Sequence, residues 1–594
     1  MPIIQSKTLL ARFLLWRVKN IKEKNFVLVL SLIVGLVCGL VGVILKNSIH
    51  YVHHFITESM SLDSGNALFI FLPIVGIVLT TIWVKVFVKD DIGHGVSKIL
   101  YAICKKNGII KGHNNYSSII GSTLTIGFGG SVGAEAPVVL TGASIGSSLA
   151  RLFHMNHRII ILMLGCGAAG AIGGIFKAPI AGLAFTLEVL MLDLTMGSLI
   201  PLLISSVTAA SLSYLLMGKG VMFQYNIHHA FELSNIPFYI LLGILSGLLS
   251  VYFIRTSMYV EAKISSFNSP FKRILLGGLI LGILIFLFPP LYGEGYTTLQ
   301  SLLDGDTTQM FSNTILYPLH DNYWLILLYL AGVFFLKVFA TAATNGSGGV
   351  GGIFAPTMFM GGVGGFFLAR LINGTGIINL PESNFSLVGM AGMMAGVMHA
   401  PLMAMFLIAE ITGGYGLFIP LMITCLIAYL TVKGFEPHSI YAKRLAQRGE
   451  LLTHNKDKAV LTLMKLDKVL ETDLKTVCPD STLGELVKII SKSKRNIYPV
   501  VDVDGEFLGM VILDDIRHIM FNSEMYSDTY VRDLMILPPD LVEVNDPMDI
   551  VMRKFADTGA WNLPVTDNGK YLGFVSKSKI FSTYRRVLVH FSEE

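Results

Sequence analysis

From about residue 26 to 431 the chain is a succession of apolar segments, many of them cut by glycine or proline before reaching the roughly 20 residues that a simple membrane span takes. The pattern predicts helices, several of them broken. In lipid an interrupted helix survives only where protein or a water-filled cavity satisfies the freed backbone groups, so each interruption marks ground near a pathway. Beyond 431 the character changes: residues 433–458 are polar and charged, and the rest alternates strand-like and helix-like segments of soluble composition.

The interruptions come in pairs. GGSVGAEAP at 129–137 and GGVGGIFAP at 348–356 share glycines, an alanine and a proline at an offset of 219 positions, Pro137 to Pro356. Farther on, Gly167/Gly389, Gly170/Gly392, Gly174/Gly396, Pro179/Pro401 and Glu188/Glu410 all share an offset of 222. Two pairs in the same order predict an internal duplication of the membrane region, an arrangement that in transporters sets the site at the repeat interface. The polar part has its own repeat, PVVDVDGEFLGMVILDDI at 499–516 and PVTDNGKYLGFVSKSKI at 564–580, each reading as strand, tight turn, strand, helix.

Composition agrees with lipid: of 594 residues, 53% are hydrophobic and 14% charged. A net charge of +5 with no basic stripe interleaved with aromatics excludes nucleic acid as an expected partner. The five cysteines, Cys38, Cys104, Cys166, Cys425 and Cys478, have no CxxC or Cys/His ligand spacing and read as small apolar residues. Arg12, Arg17, Lys19, Lys22 and Lys24 precede an apolar run too long for a cleavable signal, which puts the N-terminus in the cytoplasm.

The start of a helix carries unpaired N–H groups and about half a positive charge, so a glycine-rich loop leading into an apolar helix is a natural anion site. Both GGSVGAEAP and GGVGGIFAP have that form, with close helix packing through small residues as the structural alternative. Glu135 falls inside the first. A carboxylate in an apolar membrane segment costs about 2.5–3.5 kcal/mol on insertion scales and is a functional candidate by default. Placed where an anion would bind, a protonatable side chain that imitates the anion makes a gate.

On these residues the chain resembles the CLC family of chloride channels and proton/chloride exchangers, followed by a pair of CBS domains. The resemblance implies an all-α membrane domain of two inverted repeats with broken helices, and a soluble α/β tandem of CBS domains. It divides the chain into a basic segment 1–25, a transport domain 26–435, a linker 436–465 and CBS domains at 466–523 and 531–590. GAEAP at 133–137 resembles the gating-glutamate motif, with Glu135 as the external gate. GGIFAP at 351–356 resembles the second anion motif, in which the amides of Ile353 and Phe354 face a central anion. Tyr441 falls where the family's pore tyrosine donates its hydroxyl, an interfacial aromatic anchor being the alternative.

Departures from the family pattern are informative. GHGVS at 93–97 resembles the motif in which most chloride-selective members have serine followed by Gly-Ile-Pro, placing His94 and Gly95 at the anion, but His94 stands for the family's serine and Ser97 for its proline. An imidazole donates one hydrogen bond when neutral and attracts anions when charged, which links transport to internal pH; a solvent-facing histidine is the alternative. In FKAPIAGLAFTLEV, Val189 takes the position of the exchangers' internal proton glutamate. That replacement is a channel-like feature, and neighbouring Glu188 cannot stand in for it, because adjacent helix residues point about 100° apart. The CBS copies carry incomplete nucleotide motifs. Gly509 and Asp515 come with Ile512 in place of a hydroxyl residue, and Gly573 and Ser576 with Lys579 in place of the acid. No cofactor is required, and an adenine nucleotide stays open as a ligand of the pair.

The expected function is chloride transport through a glutamate-gated path in the cell membrane, as a channel of the voltage-gated type or as a proton/chloride antiporter. A homodimer with its CBS domains in the cytoplasm is implied. A CBS-containing magnesium channel would need convergent oxygen ligands. A membrane hydrolase has only the weak G-x-S-x-G matches at 129–133 and 142–146, without an assignable His and Asp, and no catalytic or metal-ligating set is expected.

Overall fold

Proline and glycine end the helices largely where the sequence interrupts them. The computed structural model describes residues 14, 16–17, 19–59, 68–192, 196–218, 220–223, 225, 231–307, 310, 322–376, 378–447 and 466–583. Arg12, residues 448–465 of the expected linker and 584–590 of the expected second CBS domain lie outside them. The chain forms two compact units, 1–451 and 452–594.

The first unit is helical. Its first half holds α1 (Glu23–Ser59), α2 (Leu68–Ile82, extended by a π-helical turn at Trp83–Val88), α3 (Gly95–Lys105), α4 (Ser117–Gly127), α5 (Glu135–Leu152), α6 (His157–Phe176), α7 (Pro179–Glu188) and α8 (Met196–Met217). The second holds α9 (Ile236–Ser265), α10 (Pro270–Leu287), α11 (Tyr296–Leu303), α12 (Tyr323–Gly346), α13 (Phe354–Asn373), α14 (Glu382–Met398), α15 (Pro401–Ile411) and α16 (Phe418–Lys433), and α17 (Ile440–Gln447) follows. Eight of the described helices are long and apolar enough to cross a membrane. Others stop short: α7 has 10 residues and α15 has 11, each opened by a proline, whose fixed φ and missing N–H suit a first helical position.

The halves repeat each other down to single atoms. Gly133 and Gly352, equivalent at the 219 offset, form an antiparallel bridge with N–H···O distances of 2.9 and 2.7 Å. Two equivalent residues pair antiparallel only across a two-fold axis, which is the relation of inverted repeats. The Val350 N–H donates to Thr125 Oγ1 at 3.0 Å, and its counterpart, the Ser131 N–H, donates to Thr344 Oγ1 at 3.2 Å. Gly129 and Gly348 turn the two loops with φ of 95° and 104°, a region that only glycine enters freely. The crossings of α5 on α6 and of α13 on α14 are equally close: a Cβ at Gly146 would stand 1.9 Å from the Met163 carbonyl oxygen, and one at Gly365 would stand 2.1 Å from that of Phe385.

The second unit contains β1 (Leu470–Glu471), α18 (Leu483–Ile490), β2 (Ile497–Val501), β3 (Phe507–Ile512), α19 (Leu513–Ile516), α20 (Val531–Leu534), β4 (Val542–Glu543), α21 (Met548–Thr558), β5 (Asn562–Asp567) and β6 (Lys570–Ser576). Each repeat gives the expected hairpin, β2 with β3 and β5 with β6. Helix α18 starts with a capping box, Thr482 Oγ1 accepting from the Glu485 N–H and the Glu485 carboxylate from the Thr482 N–H. The copies exchange edges: β1, preceding the first hairpin, pairs with β6 of the second, while Ile536, preceding the second, bridges to Met510 on β3.

Candidate functional site

Glu135 is the first residue of α5 and is 2% exposed. The glycine loop carries it to the Gly133–Gly352 bridge, where the starts of α5 and α13 converge. Its Oε1 accepts the hydroxyl of Tyr296, the first residue of α11. Its Oε2 is buried and packs so tightly on the loop that a Cβ at Gly133 would stand 2.0 Å from it. The amide of Ala134 just before α5 is taken by a second carboxylate, Glu294, at 3.0 Å. Behind these acids Lys337 on α12 is fully buried. Its ammonium donates to the Gly293 carbonyl at 3.0 Å and lies 4.8 Å from the Phe359 ring centre, a cation–π distance.

Ile353 precedes α13 and Phe354 opens it, both buried, with Phe354 stacked on Phe176 at 5.4 Å. First-turn amides have no intrahelical acceptor, and no backbone carbonyl among the described residues takes the N–H of Ile353 or Phe354. Tyr441, 5% exposed on α17, is tied in through its backbone, because Ser97 Oγ donates to its carbonyl at 3.1 Å. A proline at position 97 would lack that hydroxyl.

Gly95 opens α3 against the gate helix: a Cβ there would stand 2.7 Å from the Ala136 carbonyl oxygen. His94, at φ 51°, turns its ring the other way. Nε2 meets Glu261 on α9 at 2.5 Å and Nδ1 meets Arg444 on α17, while Arg444 also pairs with Glu261 at 2.7 Å. A guanidinium only donates, so Nδ1 accepts and Nε2 carries the proton towards Glu261. Both ring nitrogens are thereby occupied. The imidazole expected to face an anion is instead a strut between α3, α9 and α17.

Val189 follows the last residue of α7 as a buried apolar side chain, 2% exposed. Glu188 caps another helix: its two oxygens accept the N–H groups of Leu402 and Met403 at the start of α15, at 3.1 and 2.8 Å. Glu410 returns the contact on Ile180 and Ala181 at the start of α7, at 3.0 and 2.9 Å. In the second unit Asp515 is exposed, and the Ser576 hydroxyl donates to Glu471 at 2.5 Å while accepting the Lys579 N–H at 3.1 Å. The serines of the two G-x-S-x-G matches sit in the loop before α5 and inside α5, neither at a strand-to-helix elbow.

Glu294, Tyr296, Lys337 and Glu261 are absent from the sequence-based candidates. The signal for Glu294 was present: an acid between two glycines, GEG, within an apolar stretch.

A double repeat of broken helices, converging on buried glycine-rich helix starts, defines an integral membrane transport protein. Residues 75–433 match the family model described as voltage gated chloride channel, and residues 466–522 and 531–586 match that of the CBS domain. The chain belongs to the voltage-gated chloride channel (CLC) family, a transport family rather than a hydrolase family. A voltage-gated ClC-type chloride channel, ClcB, of Salmonella dublin is 32% identical over 340 residues, 55% of this chain and 75% of that protein. The Escherichia coli ClcB channel is 30% identical over 337 residues, 56% and 75% of the two chains. Among solved structures, a slow cyanobacterial Cl−/H+ antiporter aligns with a TM-score of 0.63 at 23% identity, covering 73% of this chain and 99% of that one. A eukaryotic CLC transporter aligns at 0.58 and 16% identity, covering 93% and 97%. These structural likenesses establish the fold.

Proposed function

We propose that this protein conducts chloride across the cell membrane, with Glu135 as the gate. The observation that carries the reading is the burial of the Glu135 carboxylate at the start of α5, beside the bridge that joins it to the start of α13. Helix starts favour negative charge, so the carboxylate occupies ground that a dehydrated anion would take once the side chain is protonated or swings away. The free amides at Ile353 and Phe354 and the hydroxyl of Tyr441 then hold the anion, and Gly95 lets α3 approach the path closely. His94 takes part through Arg444 and Glu261 rather than by touching the anion.

Channel behaviour is supported by Val189, which binds no proton, and by Glu188, whose carboxylate is committed to capping α15. Proton-coupled exchange is the second reading. It is favoured by the likeness of the fold to solved Cl−/H+ and fluoride/proton antiporters. The basic residues Lys19, Lys22 and Lys24 at the entry to α1 support a cytoplasmic N-terminus, and with it cytoplasmic CBS domains. A homodimer belongs to this reading as the family resemblance implies it.

Chloride efflux from proteoliposomes, recorded together with pH for the wild type and Glu135→Ala, tests the proposal. The expected result is chloride flux without uphill proton movement, with any external-pH dependence lost in Glu135→Ala. Uphill proton movement that Glu135→Ala abolishes assigns exchange, and absence of chloride flux from both proteins overturns the reading.

A further inference from the structure

Glu135 does not meet the outer solution alone. Between α10 and α11 the chain turns sharply through Gly293 and Gly295, with φ of 59° and 85°, and this turn brings Glu294 and Tyr296 to the start of α5. Tyr296 donates its hydroxyl to Glu135, and Glu294 caps Ala134, the residue before it, at 3.0 Å. Glu294 is the more accessible acid, partly exposed where Glu135 is 2% exposed. The other charged or titratable groups acting on this pair are Lys46 on α1 and Lys337 on α12, both acting on Glu294, and Tyr441 on α17, with Arg444 behind it. Lys337 holds the turn itself through the Gly293 carbonyl.

The two neighbours act on Glu135 in opposite senses. A hydroxyl donated to a carboxylate favours the ionised form, whereas a second carboxylate close by disfavours it. We propose that Tyr296 and Glu294 are positioning residues of the gate, which together set the external pH at which Glu135 lets an anion pass. The inference rests on the reading of Glu135 as the gate. Tyr296 latches the carboxylate in place, and Glu294, when ionised, supplies negative charge that eases its protonation and release; burial pushes the Glu294 carboxyl itself up to about 8, so this help comes at alkaline external pH and fades as the pH falls.

The test is the external-pH profile of chloride efflux from proteoliposomes holding the full chain. Wild-type flux rises as external pH falls. Tyr296→Phe removes the donor, so the midpoint moves to higher pH by about one unit. Glu294→Gln keeps an oxygen for the Ala134 amide but removes the charge, so the midpoint moves to lower pH by a similar amount. In a Glu135→Gln background the profile is flat and neither substitution changes it. Opposite shifts that vanish in that background support the proposal, because a merely structural role lowers the flux without moving the midpoint, or moves both midpoints alike. Either of those results overturns it. If Glu135→Gln flattens the profile but the other two leave the midpoint in place, this inference fails and the gate reading stands. If Glu135→Gln keeps the wild-type profile, both fall.

Discussion

Glu188 and Glu410 each place both carboxylate oxygens on the first amides of the helix that carries the other, so one residue type does the same work twice, 222 positions apart. Hydrogen bonds to a charged group are worth about 1.5–3 kcal/mol, and these, being half-buried, fall towards the lower end. Glu188→Ala and Glu410→Ala are each expected to lower the thermal unfolding temperature in detergent by comparable amounts, while Glu188→Gln, which keeps one acceptor oxygen, falls between. Proton movement in liposomes should respond to neither; a selective loss of it in Glu188→Gln would make that residue a proton carrier. At this scale the sequence reveals a residue when its own surroundings are unusual. Glu135 stands out because an acid in an apolar run demands a reason. Tyr296 does not, because what makes it matter is a carboxylate 161 positions away. His94 was visible as a departure from pattern, but its partners Glu261 and Arg444 come from α9 and α17, the latter 350 positions on, and their charges claim both of its nitrogens.

Among the elements, the glycines that cut the apolar run are contact points as well as breaks. Gly146 and Gly365 let α5 sit on α6, and α13 on α14, with backbone nearly touching backbone. Gly146→Ala and Gly365→Ala therefore force the helices apart, and each is expected to cost about 1–3 kcal/mol or more, read as a fall in unfolding temperature and in monodisperse yield. Gly112→Ala, where a Cβ meets nothing within 4 Å, serves as the control and is expected to be close to neutral. A large loss from the control, or none from the pair, would remove close packing as the reason for these glycines. The duplicated glycine and proline spacing made the repeated short helices legible. The π-helical turn after α2 and the placement of α11 were not, because the first is a local shift in hydrogen bonding and the second depends on the Gly293–Gly295 turn being held by Lys337 from α12.

For the whole molecule, the change of composition after residue 431 marked the passage from membrane to soluble sequence, and the 64-residue spacing of Gly509 and Gly573 marked the tandem. The exchange of edges inside the tandem was hidden, because β1 is two residues long and carries no alternation to read. Its consequence for ligands is direct. Glu471 on β1 holds the Ser576 hydroxyl, so a nucleotide phosphate or ribose seeking that serine meets a carboxylate. Millimolar ATP is expected to move the unfolding temperature of the full-length protein by less than about 1 °C, since only a ligand well above its dissociation constant adds stability. A shift of several degrees that Ser576→Ala abolishes would establish a nucleotide site there.

The bridge between Gly133 and Gly352 also bears on whether half of such a molecule can stand alone. Each of these glycines satisfies its N–H and C=O on the equivalent glycine of the other half. Thr125 and Thr344, and the two capping glutamates, are spent across the same axis. A single half alone in a bilayer would leave all of these groups unpaired where water cannot reach them. A half of this chain is therefore complete only beside an oppositely oriented copy, and within that shared framework the two halves differ at equivalent positions, Glu135 in one and Phe354 in the other.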